Sequence, residues 1–155
     1  WITVKPYGSG HFIQGLNVVG NVFKALYGNV ERIDRVDTSI ADLNYNSMRN
    51  LQFEANTFNG INTYVSNPLM IQLTQNTATA TWTTPVLTGL PFQGWARSVQ
   101  SVVTEVALQS TSGARVDATP TVVPDSGTSK RQIRLTWSQP LRGRVCIYAR
   151  MDRPQ

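Results

Sequence analysis

The chain has 155 residues, 41% of them hydrophobic, so it is long enough to bury a core in one or two small domains. No apolar run approaches the ~20 residues that cross a bilayer, and no charged segment precedes an apolar one, so we expect no membrane insertion. Its one cysteine and one histidine exclude an internal disulfide and a His/Cys-rich zinc site, and disfavour catalysis by an imidazole base. The sequence predicts no metal and no cofactor.

The net charge of +5 lies entirely in the second half. Residues 1–75 carry five basic and five acidic side chains, whereas residues 76–155 carry nine basic and four acidic ones. This asymmetry predicts an acidic partner for the second half, such as an anionic polysaccharide or a nucleic acid. A solvated basic surface is the plain alternative.

The first half contains a repeat at an offset of 35 residues. Leu16–Phe23 and Leu51–Phe58 share the pattern apolar-x-apolar-x-small-Asn-x-Phe. The pattern is typical of a strand that turns a corner, because alternating apolar residues point inward and a small residue followed by Asn makes the bend. The Asn is expected to tolerate left-handed backbone and to stack with its equivalent along a solenoid. The predicted structural rung residues are Asn21, Phe23, Asn56 and Phe58.

The segments around the repeat complete the first half. The chain begins inside a predicted strand, Trp1–Val4, which suggests a fragment of a longer protein. We interpret Asn29–Asp37 as a strand plus a corner, Ser39–Ser47 as an Asn-rich excursion, and Asn67–Thr74 as a last alternating strand.

After Gln75 and Asn76 the sequence changes to Thr-rich alternation and then to closely spaced Pro and Gly residues. We therefore place a boundary near residue 75 and predict domains at 1–75 and 76–155. The alternation of Ile133, Leu135 and Trp137 with polar residues indicates a half-buried antiparallel strand. Several such strands at short spacing favour a β-sandwich or jelly roll. Strands are predicted over Ser98–Leu108, Arg115–Val123, Arg131–Trp137 and Gly143–Arg150.

The Gly-Asn-Val-Phe rung at 20–23, the Ala-Asn-Thr-Phe rung at 55–58 and the Arg49–Phe53 segment before the second rung carry a family resemblance. Together with the appended β-rich half, they resemble the C-terminal part of right-handed β-helix proteins of the pectate-lyase-like class. The chain looks most like a bacteriophage tailspike or a related bacterial polysaccharide-degrading protein. The resemblance implies an all-β fold: the last coils of a right-handed parallel β-helix, followed by an antiparallel, jelly-roll-like β-sandwich.

The resemblance also implies a function. Tailspikes are homotrimers whose β-helices cleave or bind host surface polysaccharide, while a small C-terminal domain stabilises the trimer or adds a carbohydrate-binding surface. We therefore expect a homotrimeric module of an extracellular virion tail, or otherwise of a secreted protein, that attaches to cell-surface polysaccharide. Catalytic carboxylates of this class lie in the middle of a longer β-helix, so whether this chain belongs to an enzyme stays open.

The alternative is a contribution to a polysaccharide hydrolase or lyase site. Hydrolysis needs two carboxylates, ~5 Å apart for retention or ~6.5 to 9.5 Å for inversion. A lyase needs a base together with an Arg such as Arg32 or Arg35 to stabilise the developing enolate. Ion pairing of Asp34 and Asp37 with these arginines is the alternative explanation, and it requires no catalysis. The acidic cluster comprises Asp34, Asp37, Asp42 and Glu54, of which Asp34, Asp37 and Glu54 are the catalytic candidates.

Trp82 and Trp95 are candidates for sugar binding or for an interface, with Arg97 beside Trp95. An exposed aromatic ring stacks on the apolar face of a pyranose while neighbouring polar groups bind its hydroxyls. Core packing is the alternative for Trp82, and the alternation of its strand places Trp137 in the core.

Nucleic-acid binding is the third and least favoured class. The basic run Lys130–Arg134, with Arg142 and Arg144, could meet phosphates. No nucleic-acid motif accompanies these residues, and the aromatics do not interleave with them as a stacking platform requires. Cys146 lies in an alternating apolar run and is predicted to be a packed thiol.

Overall fold

The computed structural model describes residues 1–153. The chain is all-β, with 52% strand and 4% helix, which confirms the predicted class. Two short 3-10 helices occupy Tyr45–Ser47 and Pro91–Gln93. The strands of the described residues are β1 Ile2–Val4, β2 Ile13–Gln14, β3 Asn17–Val19, β4 Val22–Lys24, β5 Asp34–Val36, β6 Met48–Arg49, β7 Gln52–Glu54, β8 Thr57–Asn59, β9 Leu69–Thr83, β10 Ser98–Ser110, β11 Thr121–Ser126 and β12 Gln132–Arg150.

The chain divides into two compact units. Unit 1 comprises Trp1–Leu69, Thr88–Gly94 and the described residues from Arg150 onward, and unit 2 comprises Met70–Leu87 and Trp95–Ala149. This division differs from a single boundary near residue 75, because the chain returns to unit 1 twice. Short returning segments leave no shift in composition, so the sequence pattern does not reveal them.

Unit 1 is built from parallel strand pairs. Strands β1, β2, β3 and β4 pair with β5, β6, β7 and β8 respectively. Asn17 lies opposite Gln52 and Phe23 opposite Phe58, so β3 and β4 meet their partners at an offset of 35 residues. The repeat seen in the sequence is therefore the pairing register of this unit.

The corners of unit 1 also recur at 35 residues. Gly15 has φ 73° and Asn50 φ 51°, while Gly20 has φ 70° and Ala55 φ 53°. At the second of these corners, Gly20 and Ala55 adopt the left-handed conformation and Asn21 and Asn56 do not, which corrects the expectation for these two Asn residues. Gly20 adopts this geometry without steric cost because it lacks a Cβ, whereas Ala55 adopts it despite its Cβ. In both copies the following Asn side chain serves another role.

That other role is a side-chain ladder. Asn56 Oδ1 accepts hydrogen bonds from the backbone N of Asn21 at 2.9 Å and from its Nδ2 at 3.1 Å. Asn56 Nδ2 donates to the Val18 carbonyl at 2.7 Å. The ring of Phe23 stacks on Phe58 with a centroid separation of 5.8 Å. The four rung residues thus join equivalent positions of the two copies of the repeat.

Two Arg-apolar-Asp motifs tie separate segments of unit 1 together. In each, the arginine Nε donates to the aspartate two residues later, at 2.9 Å from Arg32 to Asp34 and at 3.0 Å from Arg150 to Asp152. Both aspartate side chains are completely buried. Asp34 also accepts from the backbone N of Phe92, and Asp152 from that of Leu51. Each buried ion pair therefore satisfies a backbone donor from a distant part of the chain.

Unit 2 contains a four-stranded sheet arranged around β12, which pairs with β9, β10 and β11. Strand β11 runs antiparallel to β12, with Val122 opposite Leu135, and the register shifts between Val123 and Ser126. Alternation along β12 is confirmed, since Ile133, Leu135 and Trp137 are buried while the residues between them are exposed. The largest fully buried side chains of this unit are Trp82, Leu108, Ile133, Leu135, Leu141 and Ile147.

Four predicted strands are wrong in extent. The alternating segment after Asn67 and the Thr-rich segment form one strand, β9, and the two strands predicted for the C-terminal part form one 19-residue strand, β12. Strand β11 begins at Thr121, and it continues through Pro124 because the register shift accommodates this residue without a ladder donor. Turn-forming residues inside long paired strands misled the local prediction.

Candidate functional site

The structure does not bring the three candidate catalytic carboxylates together on one surface. Asp34 is buried, and its carboxylate is occupied by Arg32 and by the backbone N of Phe92. Glu54 is exposed on β7, where the buried neighbour Phe53 takes the inward position. Asp34 and Glu54 therefore do not form a pair open to a common substrate.

Asp37 is engaged in local contacts. Its Oδ1 accepts from the backbone N of Ser39 at 3.0 Å, and its Oδ2 lies 3.3 Å from Lys5 Nζ. Hydrogen bonds from the Ser39 hydroxyl and backbone, followed by the contact with Lys5, lower the pKa of Asp37 to about 2. A group held ionised in this way is a poor general acid at neutral pH. The ordinary ion-pair interpretation fits both aspartates.

Trp82 is a core residue, which corrects its candidacy for sugar stacking. Its side chain is fully buried, and Nε1 donates to the carbonyls of Thr79 at 3.0 Å and Leu141 at 3.1 Å. Its ring lies 5.1 Å from that of Trp137. Thr81 and Thr83, which flank Trp82 in the sequence, are exposed, whereas the Trp82 side chain is buried and neither face of its indole meets solvent.

Trp95 and Arg97 are both half-buried in unit 2. The Nζ of Lys130 lies 5.7 Å from the centroid of the Trp95 ring, in a cation–π arrangement. The structure thus places a basic side chain beside Trp95 that the sequence did not connect with it. Cys146 is a buried free thiol, as the alternation predicted.

One concavity of unit 2 lies over three strands. It has a volume of about 340 Å³, and β9, β10 and β12 all contribute to it. A second concavity of about 320 Å³ shares Asn76 and Arg142 with the first. We call the first concavity the arginine groove and define it by Thr74, Gln75, Asn76, Gln109, Arg142 and Arg144.

Each arginine of the groove makes a hydrogen bond through its own Nε. Arg142 Nε donates to Gln109 Oε1 at 3.1 Å, and Arg144 Nε donates to Thr74 Oγ1 at 3.0 Å. Within residues 1–153, no hydrogen bond from their terminal amino groups and no carboxylate within 4.0 Å of either side chain is found. The guanidinium groups are thus oriented by neutral partners and keep their charge uncompensated by an ion pair.

Gly143 lies between the two arginines of the groove, at a point where β12 approaches β10 closely. It has φ 148°, and a Cβ there would lie 3.1 Å from Leu108 Cδ2 and 3.2 Å from the Val106 carbonyl. Only glycine lets β12 approach β10 this closely. Arg142 and Arg144 are both exposed on the opposite side of the strand, about 6.6 Å apart along it.

The sequence flagged Arg142 and Arg144 only as part of a basic half. Their partners Gln109 and Thr74 are 33 and 70 residues away, on strands whose register a single sequence does not fix. The Arg-Gly-Arg alternation within an apolar strand is the one local signal that would have placed both arginines on one face.

No protein-family model matches the chain, and comparisons with curated proteins and with solved structures likewise find no match. Across the described residues, no helix has the length and apolar character needed to span a membrane. In the same part of the chain, no group of three or more His, Cys, Asp or Glu side chains is placed to hold a metal ion.

Proposed function

We propose that this chain is a non-catalytic attachment module of a tailspike-like protein and that unit 2 binds cell-surface polysaccharide. The observation that carries the proposal is the arginine groove. Amide and guanidinium groups from Gln75, Asn76 and Arg142 line it, and polar groups of this kind orient a ligand by hydrogen bonding to groups such as sugar hydroxyls. The engagement of Asp34 and Asp37 in local ion pairs favours binding over cleavage.

The architecture of unit 1 supports the same proposal. We interpret its parallel pairs at a 35-residue offset as successive coils of a right-handed β-helix, with the Asn21–Asn56 contact as a ladder along the axis. Unit 2 would then be the antiparallel, jelly-roll-like β-sandwich that follows such a helix. In a tailspike-like protein, this part of the molecule assembles as a homotrimer on an extracellular virion tail.

Affinity electrophoresis tests the binding role. The chain is run through gels that contain one polysaccharide each, from a panel of neutral and acidic polymers, and the same polymers are assayed for new reducing ends and for unsaturated products. We expect retardation by at least one polymer without any cleavage product. No retardation by any polymer would contradict the proposal. Cleavage that is lost in Asp37→Asn or Glu54→Gln would favour the enzyme instead.

Light scattering tests the assembly separately. The monomer has a mass of 17.2 kDa, and the proposal predicts a mass about three times larger. A monomer that still binds polysaccharide would remove trimer stabilisation from the proposed role and leave attachment.

A further inference from the structure

Resting on the proposed function, we infer that the arginine groove recognises an oxyanion on an interior residue of an acidic polysaccharide, with Arg142 as the central contact. The class of ligand is therefore a polymer of sugars that carry carboxylate, or alternatively sulfate, groups. The inference concerns this one site and follows from its charge, its preorganisation and its continuity on both sides of Arg142.

The first argument is charge. Unit 2 contains three acidic side chains, of which Asp117 lies 3.9 Å from Arg115 in an exposed pair. Seven basic side chains against three acidic ones leave a net charge of +4 on this unit. An excess of positive charge attracts and orients a ligand of negative charge. The basic residues are Arg97, Arg115, Lys130, Arg131, Arg134, Arg142 and Arg144.

The second argument is preorganisation. The Nε bonds to Gln109 and Thr74 orient the guanidinium groups of Arg142 and Arg144, and both residues line the groove. A planar guanidinium matches the two oxygens of a carboxylate and binds them through parallel hydrogen bonds. Because the arginines are already held in place, less side-chain entropy is lost when the anion binds.

The third argument is continuity. Arg142 and Asn76 line both the arginine groove and the neighbouring concavity, which Ser110 and Thr111 extend with hydroxyl groups. A ligand whose anion rests on Arg142 can therefore place further sugar residues in both directions. This favours an interior stretch of a polymer over a terminal sugar.

The lining also favours a polysaccharide over a nucleic acid. Neither concavity is lined by an aromatic residue. Single-stranded nucleic acids gain much of their affinity by stacking bases on aromatic rings, and that platform is missing here. Amides and hydroxyls suit the dense hydroxyl groups of sugars.

The experiment compares matched polymers and matched variants. Binding to three uronic-acid polymers of different linkage, namely polygalacturonate, alginate and hyaluronan, is measured by titration calorimetry, alongside their carboxyl-reduced neutral forms, dextran sulfate and single-stranded DNA. The variants are Arg142→Gln, Arg142→Lys and Arg134→Gln. Arg134 lies exposed on the same face of β12 but outside the groove, so its loss removes the same charge.

We expect Arg142→Gln to weaken binding of at least one acidic polymer by about tenfold or more, because a charge-assisted contact is lost. Arg142→Lys should keep the charge but lose much of the affinity, and Arg134→Gln should change it by less than about threefold. A hexamer of the bound polymer should compete far better than its monomer.

The outcomes separate the inference from the proposed function. Equal binding of acidic and reduced polymers, or equal losses in Arg142→Gln and Arg134→Gln, would overturn the inference while attachment stands. Binding of dextran sulfate alone would support oxyanion recognition and identify sulfate as its source. Equal competition by monomer and hexamer would overturn the interior placement. Tight binding of DNA without any polysaccharide would overturn both proposals.

Discussion

The two units solve the problem of stability by different means. The paired strands of unit 1 are two or three residues long, and polar contacts such as the Asn56 ladder and the buried Asp34 and Asp152 join its separate turns of chain. Unit 2 has strands of 13, 15 and 19 residues around an apolar core that includes Trp82 and Trp137.

The comparison shows how strand length decides which interactions matter. A strand of three residues contributes few ladder hydrogen bonds, so side chains must satisfy the backbone groups at its ends. A long strand satisfies its own backbone through pairing and needs mainly a well-packed face. We therefore expect the loss of a polar side chain to reduce the free energy of unfolding most in unit 1. A change in the volume of a core side chain should reduce it most in unit 2.

The largest expected effect is the loss of a buried charge in unit 1. Asp152→Asn should destabilise the protein by about 3 to 5 kcal/mol, because it leaves Arg150 without its counter-charge in a buried place. The free energy of unfolding is measured in urea, and amide exchange is followed at Leu51, whose N–H donates to Asp152 at 2.8 Å. Asp117→Asn, in an exposed pair of unit 2, is the control and should change neither quantity. Equal effects would break the comparison.

A smaller loss is expected from a change of volume in unit 2. Trp82→Phe should cost about 1 to 3 kcal/mol, since it removes part of a buried ring and leaves the Leu141 carbonyl without its donor. Urea unfolding monitored by circular dichroism provides the measurement. Trp95→Phe, at a half-buried position of the same unit, should cost less. A larger loss in Trp95→Phe would place the packing centre of unit 2 elsewhere.

The Asn ladder gives a third test within unit 1. Asn56→Ala should cost about 0.5 to 1.5 kcal/mol, because it removes the acceptor of the Asn21 backbone N and the donor to the Val18 carbonyl. Asn21→Ala should cost less, because the backbone bond from residue 21 to Asn56 Oδ1 survives. Amide exchange at residue 21 should accelerate in Asn56→Ala alone. Acceleration in both variants would mean that the ladder acts through the Asn21 side chain.

The smallest effect concerns acid. The pKa of Asp37 is about 2 in the folded protein, below its ordinary value of 3.8, so the ionised form is the one that folding favours. Its stabilising contribution is therefore complete above about pH 4 and is lost as the pH falls toward 2. Carboxyl NMR of Asp37 should show a midpoint near 2, and Asp37→Asn should flatten the dependence of stability on pH in this window. A midpoint near 4 would contradict the contacts with Ser39 and Lys5.

The pH dependence of Asp152 has the same sign. Burial alone would raise its pKa, but hydrogen bonds from Arg150, from Asn67 and from the backbone N of Leu51 more than offset this and lower it. The contribution of Asp152 is thus also present above its ordinary titration range and lost in acid. Asp152→Asn should reduce the acid sensitivity of unit 1 together with its stability.

The local sequence pattern predicted some properties of the site, but it did not predict which residues come together to form it. The excess of positive charge in the second half and the core position of Trp137 followed from composition and alternation. Trp82 was assigned to a possible sugar platform because its sequence neighbours are polar, yet the ring lies inside the sheet's packed face. Polar sequence neighbours indicate that one face of a strand is exposed to solvent. They do not show which residues pack against the opposite face.

The sequence by itself determined the all-β class, the 35-residue pairing register of unit 1 and the inward face of β12 around Ile133. The class and the inward face follow from the two-residue period of a strand, and the register follows from the 35-residue sequence repeat. Only the tertiary structure decided that Arg150 and Asp152 return to unit 1, that Trp82 is buried and that Arg142 and Arg144 meet residues of β9 and β10. These depend on contacts between residues far apart in the chain, whose geometry arises only when the strands are paired and packed.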